Sequence, residues 1–329
     1  MSEPLSMDAP LVSICIPAYN GATTLGEALD SIVAQAFEGL EVVVCDDRST
    51  DGTVALAEDY ARRHPFIRVV RNEKNLGMDR NFTQSVLQAR GTYAWMCGQD
   101  DVFYPGAFAR FREILARHPD VDVIYFNYRF LSGDLSKEVL PPRVKLAEDA
   151  FFESGEAYFR AMDHAPTFLA ATVMRRALWD ATPYEKFFDT HYVQMGVVLY
   201  NLPSARTYVV ADPRYVGCRV PEDSWKLGGG KMLFEIFSGS LEVYDTVYRI
   251  GGSCVPESLY RAKMREFVRK LPSYVANFGE RGFRVTPLVE ARLRRLYGRW
   301  PLLYWLYVWP VLHLPRGVYA TLLKVRRAW

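Results

Sequence analysis

The sequence predicts an α/β fold: a mainly parallel central sheet with helices on both faces, followed by a helical, amphipathic C-terminal extension. Three observations predict it. Short apolar strands alternate five times with helical stripes between residues 11 and 126. The strands are apolar enough to be buried on both faces, as parallel strands are. Each early strand also ends in a turn-rich polar segment, the usual ligand edge of such a sheet. A chain of 329 residues holds one large domain with an appendage, or two modest domains.

The elements follow in order. Residues 11–16, LVSICI, read as a buried strand ending at Pro17. Thr24 and Glu27 have capping-box spacing, and Leu25, Leu29, Ile32, Val33 and Ala36 recur on one helical face. A second strand, LEVVVC at 40–45, stops at DDRSTDGT, and a helix carrying Val54, Ala57, Tyr60 and Ala61 closes at His64-Pro65. IRVV at 67–70 is a third strand, and Phe82 and Val86 mark a helix between Asp79 and Gly91. TYAWMC at 92–97 is a fourth. Pro105 suits the first turn of a helix with Phe108, Phe111 and Leu115 inward, before the strand VDVIYF at 121–126.

Composition narrows the class. The chain is 50% hydrophobic and 24% charged, which excludes a disordered or coiled-coil protein. Its five cysteines, at 15, 45, 97, 218 and 254, form neither CxxC nor a Cys/His ligand cluster, so they read as buried thiols. The net charge of +2 conceals a split: residues 284–329 carry +8 and the remainder −6. The acidic bulk is a poor binder of nucleic acid. No basic region followed by an apolar stretch opens the chain, so a cytoplasmic location is expected.

Chemistry is expected between residues 17 and 101, completed by later loops. The first strand leads into IPAYNG, not GxGxxG. Gly228-Gly229-Gly230-Lys231-Met232 lacks the spacing and the hydroxyl of a phosphate-cradling loop, and reads as a flexible loop. Dinucleotide and ATPase sites are therefore disfavoured. What remains is acidic: Asp46-Asp47 after the second strand, and Asp100-Asp101 after Gly98-Gln99 at the end of the fourth. Carboxylates repel a nucleoside diphosphate unless a hard cation such as Mg²⁺ or Mn²⁺ bridges them; alternatively they accept hydrogen bonds from a base or ribose. One Asp-Asp pair is ordinary turn or capping chemistry. Two at matching ends of neighbouring strands point to a site.

Pro17-Ala18-Tyr19-Asn20, the Asp46–Thr53 segment, Asn75-Leu76-Gly77, Arg80-Asn81 and Gly98-Gln99-Asp100-Asp101 together resemble, in order and spacing, the signatures of inverting family 2 glycosyltransferases with the GT-A nucleotide-diphospho-sugar transferase fold. The resemblance is strong over residues 10–130 and weaker over 165–220. It implies a nucleotide-sugar donor with Mn²⁺ or Mg²⁺. Pro17, Ala18, Tyr19, Asn20 and either Asp46 or Asp47 would hold the base. Asn75, Gly77 and Arg80 would complete the donor cleft, unless Arg80 is a surface cation paired with an acid. The family's fourth strand usually ends in Asp-X-Asp-Asp, and Gly98 stands where the first Asp belongs. Gln99 or a backbone group would replace that ribose contact. Asp100 would be the metal ligand, with Asp101 beside it as a further ligand, support or helix cap.

An inverting transfer needs a base for the acceptor hydroxyl and no covalent nucleophile. TFLAATVMRR at 167–176 is similar to the family's acceptor-side strand, and Asp189, just before an apolar helix over about 191–200, resembles its catalytic acid. A plain N-cap also accounts for Asp189, and His191 is the rival base. The turn-rich stretch 212–226 carries Arg219 as a candidate phosphate clamp and Tyr215 and Trp225 as sugar platforms, or ordinary packing anchors. Trp179 and Tyr184 read equally as acceptor contacts or core.

The uncharged run from Trp300 to Pro315 spans 16 residues, is interrupted by three prolines, and is too short to cross a bilayer. Its Trp and Tyr residues between flanking cations fit a segment lying on the inner face of the cell membrane. The alternatives are an aromatic clamp on the catalytic domain and a homo-oligomer interface. The expected organisation is a catalytic domain over 1–225 (nucleotide-sugar half 10–130, acceptor half 131–225), a helical region over 226–283 and the membrane-associating segment over 284–329. The resemblance extends to enzymes of surface-polysaccharide and O-antigen assembly, implying non-processive transfer to a polyprenyl-diphosphate-linked glycan; no QxxRW motif is present. Competing functions are a sugar-nucleotide pyrophosphorylase, which PAYNG matches poorly, and a noncatalytic membrane adaptor.

Overall fold

The computed structural model describes residues 9–162, 168–220, 229–250, 257–280 and 285–313. The chain divides into two compact units: Met1–Phe188 with Val193–Val220, and Asp189–Tyr192 with Pro221–Trp329.

The first unit alternates as the sequence predicts. β1 (Val12–Ala18), α1 (Leu25–Val33), β2 (Leu40–Asp46), α2 (Thr53–Arg63), β3 (Ile67–Arg71), α3 (Met78–Leu87) and β4 (Tyr93–Met96) come first. They are followed by β5 (Val102–Phe103), α4 (Ala107–Arg117), β6 (Val123–Phe126), β7 (Arg129–Ser132), β8 (Glu138–Leu140), β9 (Ala150–Phe152) and α5 (Gly155–Ala161). β10 (Thr172–Arg175), α6 (Arg176–Asp180), α7 (Val193–Asn201), β11 (Thr207–Val210) and β12 (Val216–Val220) complete the unit. Eight strands form one sheet in the order β3-β2-β1-β4-β10-β6-β11-β9. The β3-β2-β1-β4 half is parallel; β10 runs antiparallel to both β4 and β6, and β9 antiparallel to β11. A second sheet, β5-β12-β7-β8, borders it.

Every residue of β1, β2 and β4 is buried, so apolar strands there are a requirement of burial on both faces. Trp95 of β4 is fully buried. It stacks on Phe126 at 4.9 Å, meets Phe103, Phe108 and Phe111 edge-on or tilted at 4.9–5.7 Å, and donates its indole N–H to Ala170 O at 2.8 Å. The strand that leads to Asp100 is thereby anchored in a cluster of five aromatic rings. A charged residue is also enclosed: Glu41 of β2 accepts Ser13 Oγ at 2.5 Å, the Arg90 amide at 2.8 Å and Arg90 Nε at 2.7 Å, with Arg68 at 3.3 Å.

Several local expectations are corrected. β1 runs through Pro17 to Ala18, because Pro17 needs no donor where it sits and the parallel pairing continues to Asp46. The Thr24/Glu27 capping box does not form: Thr24 makes no side-chain cap, its hydroxyl reaching back to Gly21 O at 3.5 Å, while Glu27 pairs with Arg219. Within the stretch 212–226 expected as a loop, Val216–Val220, with Arg219, form strand β12. Trp225 lies outside the described residues.

In the second unit the described helices are α8 (Gly229–Ile250), α9 (Glu257–Glu280), α10 (Pro287–Tyr297), α11 (Pro301–Leu303), a π-helical turn over Tyr304–Val308 and α12 (Trp309–His313). Gly229 to Met232, expected as a flexible loop, are helical, being the first turn of α8; Gly228 lies outside the described residues, as do Cys254 and the basic end from residue 314. Residues on both sides of 283–284 fall in this unit. Among the described residues no helix is long and apolar enough to cross a membrane.

Candidate functional site

The loops after β1 and β2 are sewn together. The Asn20 amide donates to Ser49 Oγ at 2.9 Å and Asn20 Oδ1 accepts the Thr50 amide at 2.9 Å. Gly21 N–H donates to Thr53 Oγ1 at 2.8 Å, and Ala22 N–H to Asp51 at 3.2 Å. Asn20 and Arg48 both adopt left-handed φ, 48° and 65°, a conformation Asn tolerates better than most residues and which these loop bonds sustain. Polar turn residues thus make one rigid lip beyond adjacent strands, and Tyr19 stands out from it at 49% exposure.

The paired aspartates at the end of β2 have different surroundings. Asp46 is buried and, among the described residues, receives the Ser49 amide alone, at 3.2–3.3 Å to its two oxygens. Asp47, also buried, accepts Asn72 Nδ2 at 2.9 Å, Leu76 N–H at 2.7 Å and Gly77 N–H at 2.9 Å. Three donors fill most of that carboxylate's acceptor capacity, so Asp47 shapes the Asn75–Gly77 turn, while Asp46 keeps more of its own. Asn75 Oδ1 adds a bond to the Gly77 amide at 3.1 Å, and Gly77, with φ 81°, takes a conformation an L side chain would strain.

Two asparagines that the sequence reading did not single out as site residues join this lattice. Asn72 Nδ2 also reaches Asn81 Oδ1 at 2.9 Å, and Asn81 Nδ2 donates to Cys45 O at 3.1 Å and Ala18 O at 3.4 Å. Asp79, buried in the first turn of α3, accepts the Val193 amide at the start of α7 at 3.3 Å. An acid at a helix start is so ordinary that no local pattern distinguishes its longer reach. Arg80 places its guanidinium 4.7 Å from the Phe188 ring centroid.

Beyond β4, Gln99 Oε1 accepts the Tyr19 amide and its Nε2 donates to the Tyr19 carbonyl. Its amide is thereby committed to shaping the lip. Gly98 is tightly enclosed: a β-carbon there would lie 2.6 Å from Asp101 Oδ2 and 2.9 Å from Asp100 Oδ1. The two carboxylates therefore converge over Gly98. Burial, and then the neighbouring Asp100, push the Asp101 carboxyl well above the usual carboxylate range. Burial also raises Asp100, against the pull of Arg219.

Arg219 is not an open phosphate clamp. Its side chain is 7% exposed, its Nε donates to Asp100 O at 2.9 Å, and its terminal nitrogens bond to Gly133 O and Glu27. Its backbone amide meets Asp101 Oδ1 at 3.2 Å. Arg219 is a strut beneath the Asp100-Asp101 turn. Asp101 caps no helix, since α4 begins only at Ala107 after Gly106. Trp179 is fully buried and belongs to the core, and Tyr215 packs against Phe126.

Among the described residues no cluster of three or more His, Cys, Asp or Glu could enclose a metal. Two convergent carboxylates, both destabilised as anions by burial, do fit a hard divalent ion that takes its other ligands from phosphate oxygens and water.

Asp189 and His191 fall in the second unit. Both have left-handed backbones, with φ 66° and 64°. Buried Arg292 of α10 donates to the Asp189 carbonyl at 2.6 Å, to Ser238 Oγ at 2.7 Å and to Glu242 at 2.5 Å. Two non-glycine residues held at positive φ within three positions mark a constrained turn, of the kind found where a side chain must be aimed.

Residues 13–172 match the family model described as glycosyl transferase family 2. Abequosyltransferase RfbV of Salmonella typhimurium is 29% identical over 255 residues, 72% of this chain and 75% of that protein. Five other curated relatives match over 120–132 residues, which span 13–39% of their lengths. Mannosyltransferase PcManGT of Pyrobaculum calidifontis, solved with GDP-Man and Mn²⁺, superposes with a TM-score of 0.57 at 17% identity, over 98% of this chain and 88% of that one. TarS residues 1–349 of S. aureus, solved with UDP, give 0.56 at 18% identity over 88% and 86%. At such identities the structural likeness establishes the fold.

Proposed function

We propose that this chain, a family 2 glycosyltransferase by its residues 13–172, moves one sugar from a nucleotide diphosphate donor to a hydroxyl of a lipid-linked glycan, with inversion and without processivity. The observation that carries the reading is the set of polar groups built at the ends of three adjacent parallel strands: Tyr19 and Asn20 after β1, Asp46 at the end of β2, and Gln99 to Asp101 after β4. Exposed Tyr19 offers a face on which a base stacks, and Asp46 an acceptor for a base N–H. The rigid lip holds both with little entropy left to lose on binding. GDP-Man in the Pyrobaculum complex, and UDP in the TarS complex, support the donor class.

Asp100, with Asp101 behind it, would hold Mg²⁺ or Mn²⁺ against the donor diphosphate, where such an ion neutralises charge on the leaving group. Arg219 keeps that turn in place from below. Asp189 takes the proton of the attacking hydroxyl as its oxygen bonds to the anomeric carbon and the bond to the diphosphate breaks. One displacement from the opposite face inverts the centre. O-antigen-type transfer is favoured by the extent of the match to the abequosyltransferase, and a lipid-linked acceptor by the aromatic face around Trp305. Such an acceptor would put the enzyme at the inner membrane surface.

Calorimetry with UDP-, GDP-, CDP- and dTDP-sugars, each with Mn²⁺ or Mg²⁺, tests the reading. One donor should bind in a metal-dependent manner, and Asp100→Asn should weaken it at least about tenfold, near 1.4 kcal/mol. Absence of binding in every combination sinks the proposal. Diphosphate release from a sugar phosphate and an NTP would favour a pyrophosphorylase instead.

A further inference from the structure

The second unit contains a cavity of about 370 Å³ between α9, the end of α10 and α11, lined by Met264, Val268, Tyr297, Trp300 and Leu303. Its wall also carries Arg261, Arg265 and Arg269. Residues four apart on a helix are stacked about 6 Å from each other on one face, so the three arginines share the side of α9 that lines the cavity. Arg261 pairs with Glu257 at the helix start. Among the described residues Arg265 and Arg269 have no carboxylate partner. Glu266, the one acid between Ser258 and Leu271, is held by Lys263 at 3.6 Å and Lys270 at 2.6 Å. An apolar pocket edged by unneutralised arginines has the chemistry of a binding site for an amphiphile with an anionic head.

The neighbouring surface extends the apolar path. In the helical segment from α11 to α12, Tyr304, Val308, Val311 and Leu312 are buried. The opposite face exposes Leu302 and Leu306 at 74% and Trp305 at 51%, with Trp309 one turn on. Large apolar side chains that exposed are costly in water and are usual where a surface meets lipid. The π-helical turn over Tyr304–Val308 sits at the centre of this stretch, and such turns recur at functional sites.

We propose that the α9–α11 cavity binds the acceptor's lipid carrier. A length of isoprenyl chain would lie against Met264, Val268, Trp300 and Leu303, and its diphosphate head would be bracketed by Arg265 and Arg269. This rests on the lipid-linked acceptor of the preceding reading and adds the site that holds it. A flat bilayer contact would need the exposed Leu302/Trp305/Leu306 face but neither a cavity nor two arginines lining it that have no carboxylate partner among the described residues. The cavity therefore points to one chain with one head group.

The test uses the full chain in nonionic detergent with EDTA present, which removes metal-dependent diphosphate binding elsewhere. Farnesyl diphosphate is titrated as the probe, against farnesol and inorganic diphosphate. Farnesyl diphosphate should bind saturably and at least about tenfold more tightly than either half-molecule. The surface variant Arg265→Gln/Arg269→Gln should weaken it about tenfold or more, and Val268→Phe, which fills the cavity, should weaken both farnesyl diphosphate and farnesol. No saturable binding, affinity unchanged in both variants, or inorganic diphosphate binding as tightly as the farnesyl compound would overturn the proposal. So would binding confined to phosphatidylglycerol vesicles. Nucleotide binding with Mn²⁺ on the same preparation separates the two claims: nucleotide binding without farnesyl diphosphate binding defeats this site alone, and the converse defeats the transferase reading alone.

Discussion

Gln99 holds the main chain of Tyr19 at both ends: its Oε1 accepts the Tyr19 amide at 2.9 Å and its Nε2 donates to the Tyr19 carbonyl at 3.1 Å. The residue beside the missing family aspartate thus orients the exposed aromatic proposed to carry the donor base. It also explains Gly21, where a β-carbon would collide with the Gln99 amide.

Replacing Gln99 by Glu removes one donor and sets a carboxylate oxygen against the Tyr19 carbonyl. Lip geometry should suffer more than stability, because these bonds are exposed. Donor affinity should fall about tenfold, or 1.4 kcal/mol, while the unfolding free energy changes by less than about 1 kcal/mol. Calorimetry and urea unfolding on the same variant check this. An unchanged donor Kd would deny the pair its role.

Gly98 allows Asp100 and Asp101 to converge. In Gly98→Ala the new methyl carbon would lie 2.6 Å from one carboxylate oxygen and 2.9 Å from another. Either the carboxylates separate or the turn shifts. Stability should drop by roughly 1–3 kcal/mol, read as a lower thermal midpoint. Metal-dependent nucleotide binding should weaken with it. Gly98→Asp, which restores the residue usual in the family, should be worse, since it adds a third negative charge to a pair already pushed toward protonation.

The sequence displayed the sheet because burial on both faces leaves a continuous apolar run, which is how β1, β2 and β4 read. β10 was not legible as an antiparallel insert between β4 and β6, since strand direction is set by the path of the chain and not by its apolar pattern. At the site, Asp46 and Asp47 are neighbours with equivalent local signals. Only the approach of Asn72, Leu76 and Gly77, from 25 to 30 residues away, distinguishes their surroundings. Arg219 looked like a clamp because a cation in a turn-rich stretch is free until its acceptors are known. Those acceptors are Glu27, Asp100 O and Gly133 O, all remote in sequence.

Glu41 makes acid sensitivity predictable. Burial works against its charge, yet the hydrogen bonds from Ser13 and from the amide and guanidinium of Arg90 hold its carboxyl below the ordinary 4.5. A carboxylate with a lowered folded pKa contributes stability in full above its unfolded value. That contribution is lost as pH falls through the folded one. Glu41→Gln should therefore cost about 2 kcal/mol near pH 7, and the gap from the parent should narrow as pH drops below 4.5. Denaturant unfolding at several pH values measures it. A gap that stays constant down to acid pH would mean that the charge contributes nothing.

Asp189 is the proposed base, and its backbone supports that role more than capping does. Its φ of 66° is left-handed, whereas an N-cap residue typically adopts the β region. Val193, the first residue of α7, already donates its amide to Asp79. Arg292 donates to the Asp189 carbonyl at 2.6 Å, which holds the main chain of this turn in place. Asp189→Asn keeps the shape and removes the proton acceptor. It should leave the donor Kd within about twofold and lower kcat for transfer by roughly 10²–10⁴-fold. His191→Gln should cost far less if Asp189 is the base. Transfer at the parental rate in purified Asp189→Asn would move the assignment to His191, and loss of donor binding in that variant would mean that the residue shapes the cleft instead.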